Sequence, residues 1–182
     1  MKDSIKQFLL IGVWIAIALF VLRCSIAKPT SLYAAFSCAG EAVSVTVAFM
    51  VLYERLLWRY IPLRKTPKIY GEYSGTIEYK YNGESDVKDT SVIIKQSLLS
   101  VRVRITTNET TSFTITSNLR EENGEYVLYY TYITNPKSKH SDDNPIQYGT
   151  CRLDLTNSDE LQGIYWTSRT TKGDIYMKRS VK

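Results

Sequence analysis

The segment IYGEYSGTIEYKY, residues 69–81, decides how the larger part of this chain folds. Apolar or aromatic residues and glycine occupy every second position, and polar residues occupy the positions between them. A period of two residues is typical of a β-strand with one face in the core and the other in solvent. We therefore predict a strand whose inward face carries Tyr73, Gly75, Ile77, Tyr79 and Tyr81.

The same alternation recurs in seven later segments, with turn signals such as Asn82-Gly83, Asn123-Gly124 and Lys172-Gly173 between some of them. These segments are residues 90–96, 99–107, 112–117, 125–133, 147–156, 161–169 and 174–180. Eight short strands joined mostly by hairpins predict a small, closed, antiparallel up-and-down β-barrel of the lipocalin-like kind, because closure removes exposed edges. An open sandwich is the alternative. In the third and fourth strands the apolar set is expected to face the core: Val101, Val103, Ile105, Phe113 and Ile115.

Two long apolar segments precede the predicted barrel, at about residues 5–22 and 33–53. Each is close to the length of roughly 17–25 residues that a helix needs to cross a membrane. We therefore predict a membrane-anchored all-β protein in three parts. Residues 1–60 hold two transmembrane helices, residues 61–68 form a basic linker, and residues 69–182 form a ligand-binding barrel.

The distribution of basic residues predicts the orientation in the membrane. Five lysines and arginines lie between residues 55 and 68, against only Arg23 and Lys28 between the two apolar segments. The positive-inside rule then places the N-terminus and the barrel in the cytoplasm. Residues 25–27, Ser-Ile-Ala, also have the form of a signal-peptidase site. Because Arg23 separates them from the apolar run, we favour retention of the first segment as a helix.

Glu41 is the only charged residue within residues 32–53. An acid near the middle of a span costs on the order of 3 kcal/mol on insertion scales. Beside it, Gly40, Ser44 and Ala48 repeat a small residue every four positions, a spacing that lets helices approach closely. We predict that this surface lines a polar, packed helix interface in an assembled state. The alternative is a hydrated Glu41 near the outer interface.

Few residues offer catalytic or metal-binding chemistry. The chain has one histidine, His140, and its three cysteines form no ligand pattern, so neither a metal site nor a cofactor is predicted. No glycine-rich phosphate loop is present. We therefore predict a binding protein that is not an enzyme. A membrane-tethered hydrolase using His140 beside Asp142 and Asp143 is the least favoured alternative.

The predicted seventh strand points to a ligand. Its inward face starts apolar at Leu161 and ends with Tyr165, Thr167 and Arg169, which suits a polar barrel mouth. An eight-stranded barrel can hold one small ligand, an aromatic ring can stack on a base, and an arginine can grip a phosphate with two hydrogen bonds. A merely solvated Arg169 is the alternative. Tyr73 and Arg152 are further candidates for ligand contacts, although alternation places Arg152 outward.

The order of these parts resembles a known family. Two apolar helices are followed by a barrel that contains GEYSGTI (71–77), QYGTCRLDL (147–155) and LQGIYWTSRTTKGDIYMKR (161–179). This arrangement resembles the SMODS-associating two-transmembrane β-barrel effectors of bacterial CBASS antiphage defence.

The resemblance implies a ligand and a mode of action. A cognate nucleotidyltransferase supplies a cyclic dinucleotide, which the barrel binds. The protein then forms a homo-oligomer among the lipids of the bacterial inner membrane and disrupts it, so that the cell dies by abortive infection. No nucleic acid polymer is implied as a partner. The alternative function is a membrane-anchored lipocalin-like carrier or scaffold for another small ligand.

Overall fold

A computed structural model describes residues 2–61, 66–81, 83–142 and 144–180 of the protein. The chain forms two compact units, a helical N-terminal unit and a strand-rich unit. Residues 62–65 of the predicted linker lie outside the described residues, as do Asn82 of the predicted Asn82-Gly83 turn and Asp143 beside His140. The separation of the chain into a linker and two domains at these positions stays a prediction.

The helical unit contains two long helices, α1 (Lys2–Ala27) and α2 (Leu32–Arg55). The side chain of Ser31 caps the start of α2, since its Oγ accepts a hydrogen bond from the backbone N–H of Ala34 at 3.2 Å. Both helices are long and apolar enough to cross a membrane by length and composition. The first extends about a turn beyond the predicted end at residue 22, because α1 continues to Ala27.

The strand-rich unit is a closed antiparallel barrel of eight strands. Its strands are β1 (Gly71–Tyr81), β2 (Glu84–Gln96), β3 (Val101–Thr106), β4 (Thr110–Glu122), β5 (Glu125–Pro136), β6 (Tyr148–Asn157), β7 (Glu160–Thr167) and β8 (Lys172–Arg179). Each strand pairs with the next, and β8 returns to β1, where Gly75 lies opposite Met177. The up-and-down barrel is therefore confirmed, and the open sandwich is wrong.

The barrel core follows the predicted alternation on most strands. On β2 every second residue from Thr90 to Gln96 is buried, and the residues between them are exposed. Val101, Val103 and Ile105 on β3 are buried as expected. At about 25 cal/mol per Å² of apolar surface, this shared interior is the main force that holds the strands together.

Strand β4 departs from the expected pattern. Phe113 and Ile115 are 40% and 57% exposed, so their prediction as core residues is wrong. Arg104 on β3 pairs directly with Phe113, and its guanidinium lies 5.3 Å from the centre of the Phe113 ring on the outer surface. A register shift between Thr114 and Thr116 then interrupts the alternation. Periodicity in the sequence cannot show which face a bulged strand turns inward.

The turn chemistry is also only partly as expected. Asn123 and Gly124 join β4 to β5 with backbone φ values of 52° and 87°, as a two-residue hairpin turn of type I′ requires. Lys172 and Gly173 were predicted as a turn but lie within β8. The turn between β7 and β8 comes earlier, where Thr170 has a φ of 62°.

One end of the barrel is closed by hydrogen bonds around the start of β1 and the end of β8. The Tyr73 hydroxyl donates to the carbonyl oxygens of Ile69 and Ser158. Arg179 donates to the carbonyl of Tyr70 and pairs with the Asp159 carboxylate, both at 2.7 Å. Any opening into the barrel interior is therefore expected at the opposite end.

Candidate ligand-binding site

A cavity of about 280 Å³ lies at the other end of the barrel. Its lining comes from the ends of seven strands and from the connections that join them. The lining residues are Ile77, Tyr79, Lys88, Ile105, Thr107, Glu109, Thr110, Ser112, Tyr130, Tyr132, Thr134, Asn144, Gln147, Tyr165, Thr167, Arg169, Thr171 and Ile175. Aromatic rings, hydroxyl groups and a few charges therefore converge on one space whose surface is more apolar than polar, which is the usual make-up of a small-molecule site.

Three tyrosines of the lining are almost fully enclosed. Tyr130, Tyr132 and Tyr165 are only 2%, 7% and 9% exposed. The rings of Tyr130 and Tyr132 lie with their centres 5.9 Å apart. Burial raises the pKa of all three hydroxyls, so each is a neutral group near neutral pH that can donate one hydrogen bond.

The Tyr130 hydroxyl is buried and makes no hydrogen bond of good geometry among the described residues, and the polar group it interacts with is the weakly accepting thiol of Cys151. A buried polar group without a partner costs roughly 1–3 kcal/mol of stability. Native proteins rarely keep such a group unless something else satisfies it, such as water or a ligand. Because Tyr130 lines the cavity, its hydroxyl is a ready contact for a polar group bound there.

Two glycines set the positions of two of these rings. A Cβ atom on Gly149 would lie 2.3 Å from Cζ of Tyr132, and one on Gly173 would lie 2.6 Å from Cε1 of Tyr165. The absence of a side chain on these strands lets each ring lie directly against the neighbouring backbone. The room left for a ligand in the cavity thus depends on both glycines.

Lys88 and Glu109 bring opposite charges to the cavity. Nζ of Lys88 lies 2.7 Å from Oε2 of Glu109 and 5.1 Å from the centre of the Tyr79 ring. Burial alone would lower the pKa of Lys88, but hydrogen bonding and charge from Glu109 and Tyr79 outweigh it and raise the pKa. Lys88 is therefore a fixed positive charge under physiological conditions.

Arg169 supplies the second positive charge of the lining. It lies in the tight connection from β7 to β8, where the backbone N–H of Thr167 donates to the carbonyl of Thr171. The backbone N–H of Arg169 itself donates to Oγ1 of Thr167 at 3.3 Å. The hairpin thus holds the arginine at the cavity although β7 ends two residues earlier.

The predicted ligand-binding residues divide into two groups. Tyr165, Thr167 and Arg169 line the cavity, whereas Tyr73 lies at the closed end of the barrel. Arg152 lies on the outer surface, where its Nε donates to the Tyr129 hydroxyl at 3.2 Å. The structure therefore brings three of the five together, and their contacts with a ligand stay predictions.

The sequence reasoning missed Lys88, Glu109, Tyr130 and Tyr132. The two tyrosines were recognisable, because both lie on one face of the segment predicted at 125–133. The signal for Lys88 was the same alternation, extended backwards from the buried residues of β2. Its strand was predicted to begin only at residue 90, since the preceding residues are polar. Glu109 lies in a connection, where periodicity carries no information.

His140, the basis of the hydrolase alternative, lies in a short 3₁₀ helix (Ser138–His140) on the connection from β5 to β6. Among the described residues, no three histidines, cysteines or acids are grouped so that they could hold a metal ion. His140 is not among the described residues that line the cavity. The hydrolase alternative therefore gains no support from the cavity.

The helical unit carries the other predicted site. Nε of Arg23 donates to Oε2 of Glu41 at 2.6 Å, and both side chains are about half exposed. The packed face of α2 contains Cys38, Ala42 and Thr46. The predicted stripe lies on a different face, where its three residues are exposed: Gly40, Ser44 and Ala48.

A barrel closed at one end, with a cavity at the other, defines a small-ligand receptor, here joined to two membrane-capable helices. Residues 64–179 match the family described as "Cap15, cyclic dinucleotide receptor domain". The chain is 36% identical to CD-NTase-associated protein 15 of Staphylococcus schleiferi across an alignment that covers 98% of this chain and 99% of that protein. The chain therefore belongs to the Cap15 family, in agreement with the resemblance predicted from the order of its parts.

Proposed function

We propose that this chain is an effector of CBASS antiphage defence that is activated when a cyclic dinucleotide binds in the barrel cavity. The observation that carries the proposal is the convergence of four tyrosines with Lys88 and Arg169 around that cavity. A cyclic dinucleotide presents two bases and two phosphates. The rings can stack on bases, and the two cations can bind phosphates through charge-assisted hydrogen bonds.

The size of the cavity bears on how the ligand binds. Its volume of about 280 Å³ is near the lower limit for pockets that enclose small molecules, which is roughly 300 Å³. A molecule as large as a cyclic dinucleotide therefore extends out of the barrel or displaces side chains at the opening. Either mode makes the residues of the connections, including Arg169, part of the contact surface.

In the proposed mechanism, ligand binding promotes self-association of the chain in the bacterial inner membrane. The distribution of lysine and arginine favours an N-terminus and a barrel in the cytoplasm. The stripe of Gly40, Ser44 and Ala48 supports association through α2, because its residues are exposed and no atom lies within 4 Å of a Cβ added to Gly40. Assembly then disrupts the bilayer and kills the infected cell.

The cavity argues against a carrier of apolar ligands. Such a carrier gains nothing from two cations and a set of threonine hydroxyls in the binding space, since each polar group must lose its water without a partner. Phosphate and base atoms provide those partners. A polar, anionic ligand is therefore favoured over lipid.

Calorimetry on the full chain in detergent micelles tests the proposal, with a panel of cyclic dinucleotides that differ in bases and linkage, cyclic trinucleotides and a fatty acid as probes. We expect heat from at least one cyclic dinucleotide and a large loss of affinity in Arg169→Ala. Arg152→Ala is the matched control, because Arg152 lies on the outer surface. Absence of heat from every cyclic nucleotide, or binding of the fatty acid alone, would overturn the proposal.

A further inference from the structure

The cavity contains an acid that works against binding of an anion. Among the described lining residues, Glu109 is the single carboxylate, and it pairs with Lys88 at 2.7 Å. The two side chains are only 29% and 26% exposed, so solvent screens them incompletely. A carboxylate next to Lys88 offsets the positive charge that this lysine offers to a phosphate.

The contacts around the Lys88–Glu109 pair allow the Glu109 carboxylate to move away while Lys88 stays in place. The backbone of Glu109 is fixed on both sides, since its N–H donates to Oγ1 of Thr107 and its carbonyl accepts from the N–H of Lys137. Only rotation of the Glu109 side chain is then needed to open the pair. Lys88 keeps a second favourable contact in the Tyr79 ring when the carboxylate departs.

We propose that Glu109 is a selectivity residue, which occupies the place beside Lys88 that a ligand phosphate takes on binding. This inference rests on the proposed function of the cavity. A ligand phosphate becomes the ion-pair partner of Lys88 when it displaces the carboxylate. A molecule with two phosphates can place one at Arg169 and the other at Lys88. A molecule with one phosphate is bound at Arg169 and leaves the Lys88–Glu109 pair closed.

Glu109→Gln tests this role, because it removes the charge and keeps a similar shape. The probe is the cyclic dinucleotide that binds most tightly in the calorimetric panel, titrated into the full chain in micelles at low salt. We expect its affinity to rise about tenfold. In the variant, the positive charge of Lys88 is no longer offset by Glu109 and attracts the ligand phosphate at close range. The affinity for adenosine monophosphate, which carries one phosphate, should change less than twofold, and a tenfold gain for it as well would show that Glu109 does not select between one phosphate and two.

Glu160→Gln is the matched control. Glu160 also pairs with a lysine, Lys178, at 2.8 Å, and it is not among the described residues that line the cavity. Its substitution should leave the affinity unchanged. If both glutamine variants bound the cyclic dinucleotide equally more tightly, the effect would reflect net charge alone, and the inference would be wrong.

A double-mutant cycle with Lys88→Gln separates displacement from general repulsion. If Glu109 acts by covering Lys88, Glu109→Gln should change the affinity for the cyclic dinucleotide less than twofold in the Lys88→Gln background. A tenfold gain in affinity in that background would overturn the inference. Should Lys88→Gln bind too weakly to measure, salt dependence decides. The affinity of Glu109→Gln must then fall more steeply with salt than that of the wild type, and equal slopes contradict the inference.

The two proposals fail in different ways. If the wild-type chain binds no cyclic dinucleotide, the proposed function itself is wrong. If the wild-type chain binds and Glu109→Gln binds equally or more weakly, only the role of Glu109 is wrong.

Discussion

Nε of Arg23 donates a hydrogen bond to Oε2 of Glu41 at 2.6 Å, so an arginine of α1 balances the acid that interrupts the apolar sequence of α2. The sequence reasoning treated Glu41 as an isolated charge and did not foresee this partner. Pairing with a cation lowers the cost of placing an acid within a span. The pair also leaves Glu41 beside the exposed stripe of small residues, where an assembled state can use it.

We expect Glu41→Gln to separate ligand binding from killing. The amide oxygen still accepts a hydrogen bond from Arg23, so the helix pair keeps its contact, but the surface beside the stripe loses its charge. Affinity for a cyclic dinucleotide should stay unchanged in calorimetry on the full chain. Killing on co-expression with the cognate nucleotidyltransferase should be blunted at equal protein level.

The charge swap Arg23→Glu with Glu41→Arg is the control for this prediction. Arg23→Glu alone places two acids together and should reduce the amount of chain recovered in the membrane fraction. The swapped pair should restore that amount. Killing by Glu41→Gln at the wild-type level would show that Glu41 has no part in the lesion.

Gly40→Leu is expected to weaken self-association without disturbing the single chain. No atom lies within 4 Å of a Cβ added at this position, so the larger side chain meets no obstacle within the helix pair. Between two copies it would hold the backbones apart and prevent close packing. Cross-linking of the full chain in membranes, with the cyclic dinucleotide present, should therefore yield fewer oligomers.

Val45→Leu is the matched control for Gly40→Leu. Val45 is also exposed on α2, at 57%, and it lies about 100° around the helix from Ser44, beside the stripe of small residues but not in it. We expect oligomers of this variant to form as in the wild type. Equal cross-linking of both variants and the wild type would exclude the stripe as the contact surface.

Tyr130→Phe should lower ligand affinity without lowering folding stability. The hydroxyl makes no hydrogen bond of good geometry and has only the weakly accepting Cys151 thiol beside it, so its removal should leave the free energy of unfolding unchanged or raise it by about 1 kcal/mol. If the hydroxyl bonds to the ligand, affinity should fall roughly tenfold, which corresponds to about 1.4 kcal/mol. Urea titration and calorimetry on the same preparation measure the two effects.

Tyr129→Phe is a suitable comparison, because the Tyr129 hydroxyl bonds to Arg152 and Glu122 on the outer surface. Its loss should leave ligand affinity unchanged. Unchanged affinity in Tyr130→Phe as well would remove the Tyr130 hydroxyl from the ligand contacts.

The sequence predicted which residues of most strands point into the barrel, but it did not predict where along the barrel axis each residue lies. Alternation correctly placed Tyr165 and Thr167 on an inward face, and it did the same for Tyr73. Tyr73 nevertheless lies at the closed end, because the hydrogen bonds that close it come from residues distant in sequence, such as Ser158. Position along the barrel axis depends on how neighbouring strands are staggered, which no single strand records.

The cavity charges were missed for a related reason. Residues 84–89 are mostly polar and carry little local preference for a strand, yet pairing with β1 extends β2 back to Glu84. Tertiary pairing thus overrides propensity and turns Lys88 inward. The outward Phe113 is the opposite case, in which an apolar residue follows the register of its neighbour Arg104 instead of its own hydrophobicity.

The buried thiol of Cys151 should make the barrel less stable at alkaline pH. Burial raises the pKa of the Cys151 thiol from its usual 9.0 to about 12 in the folded barrel. Below pH 9 the thiol is protonated in both the folded and the unfolded chain, and its contribution to stability is fully present. Between pH 9 and about 12 only the folded chain keeps the proton, so the free energy of unfolding should fall by about 1.4 kcal/mol per pH unit for this group.

Cys151→Ala provides the comparison in urea titrations followed by circular dichroism. Its stability is lower below pH 9, because a fully buried side chain is truncated. Between pH 9 and 10, before most tyrosines of the unfolded chain ionise, its stability should decline less steeply than that of the wild type. Parallel decline of the two proteins in that window would show that ionisation of Cys151 does not contribute to the alkaline loss of stability.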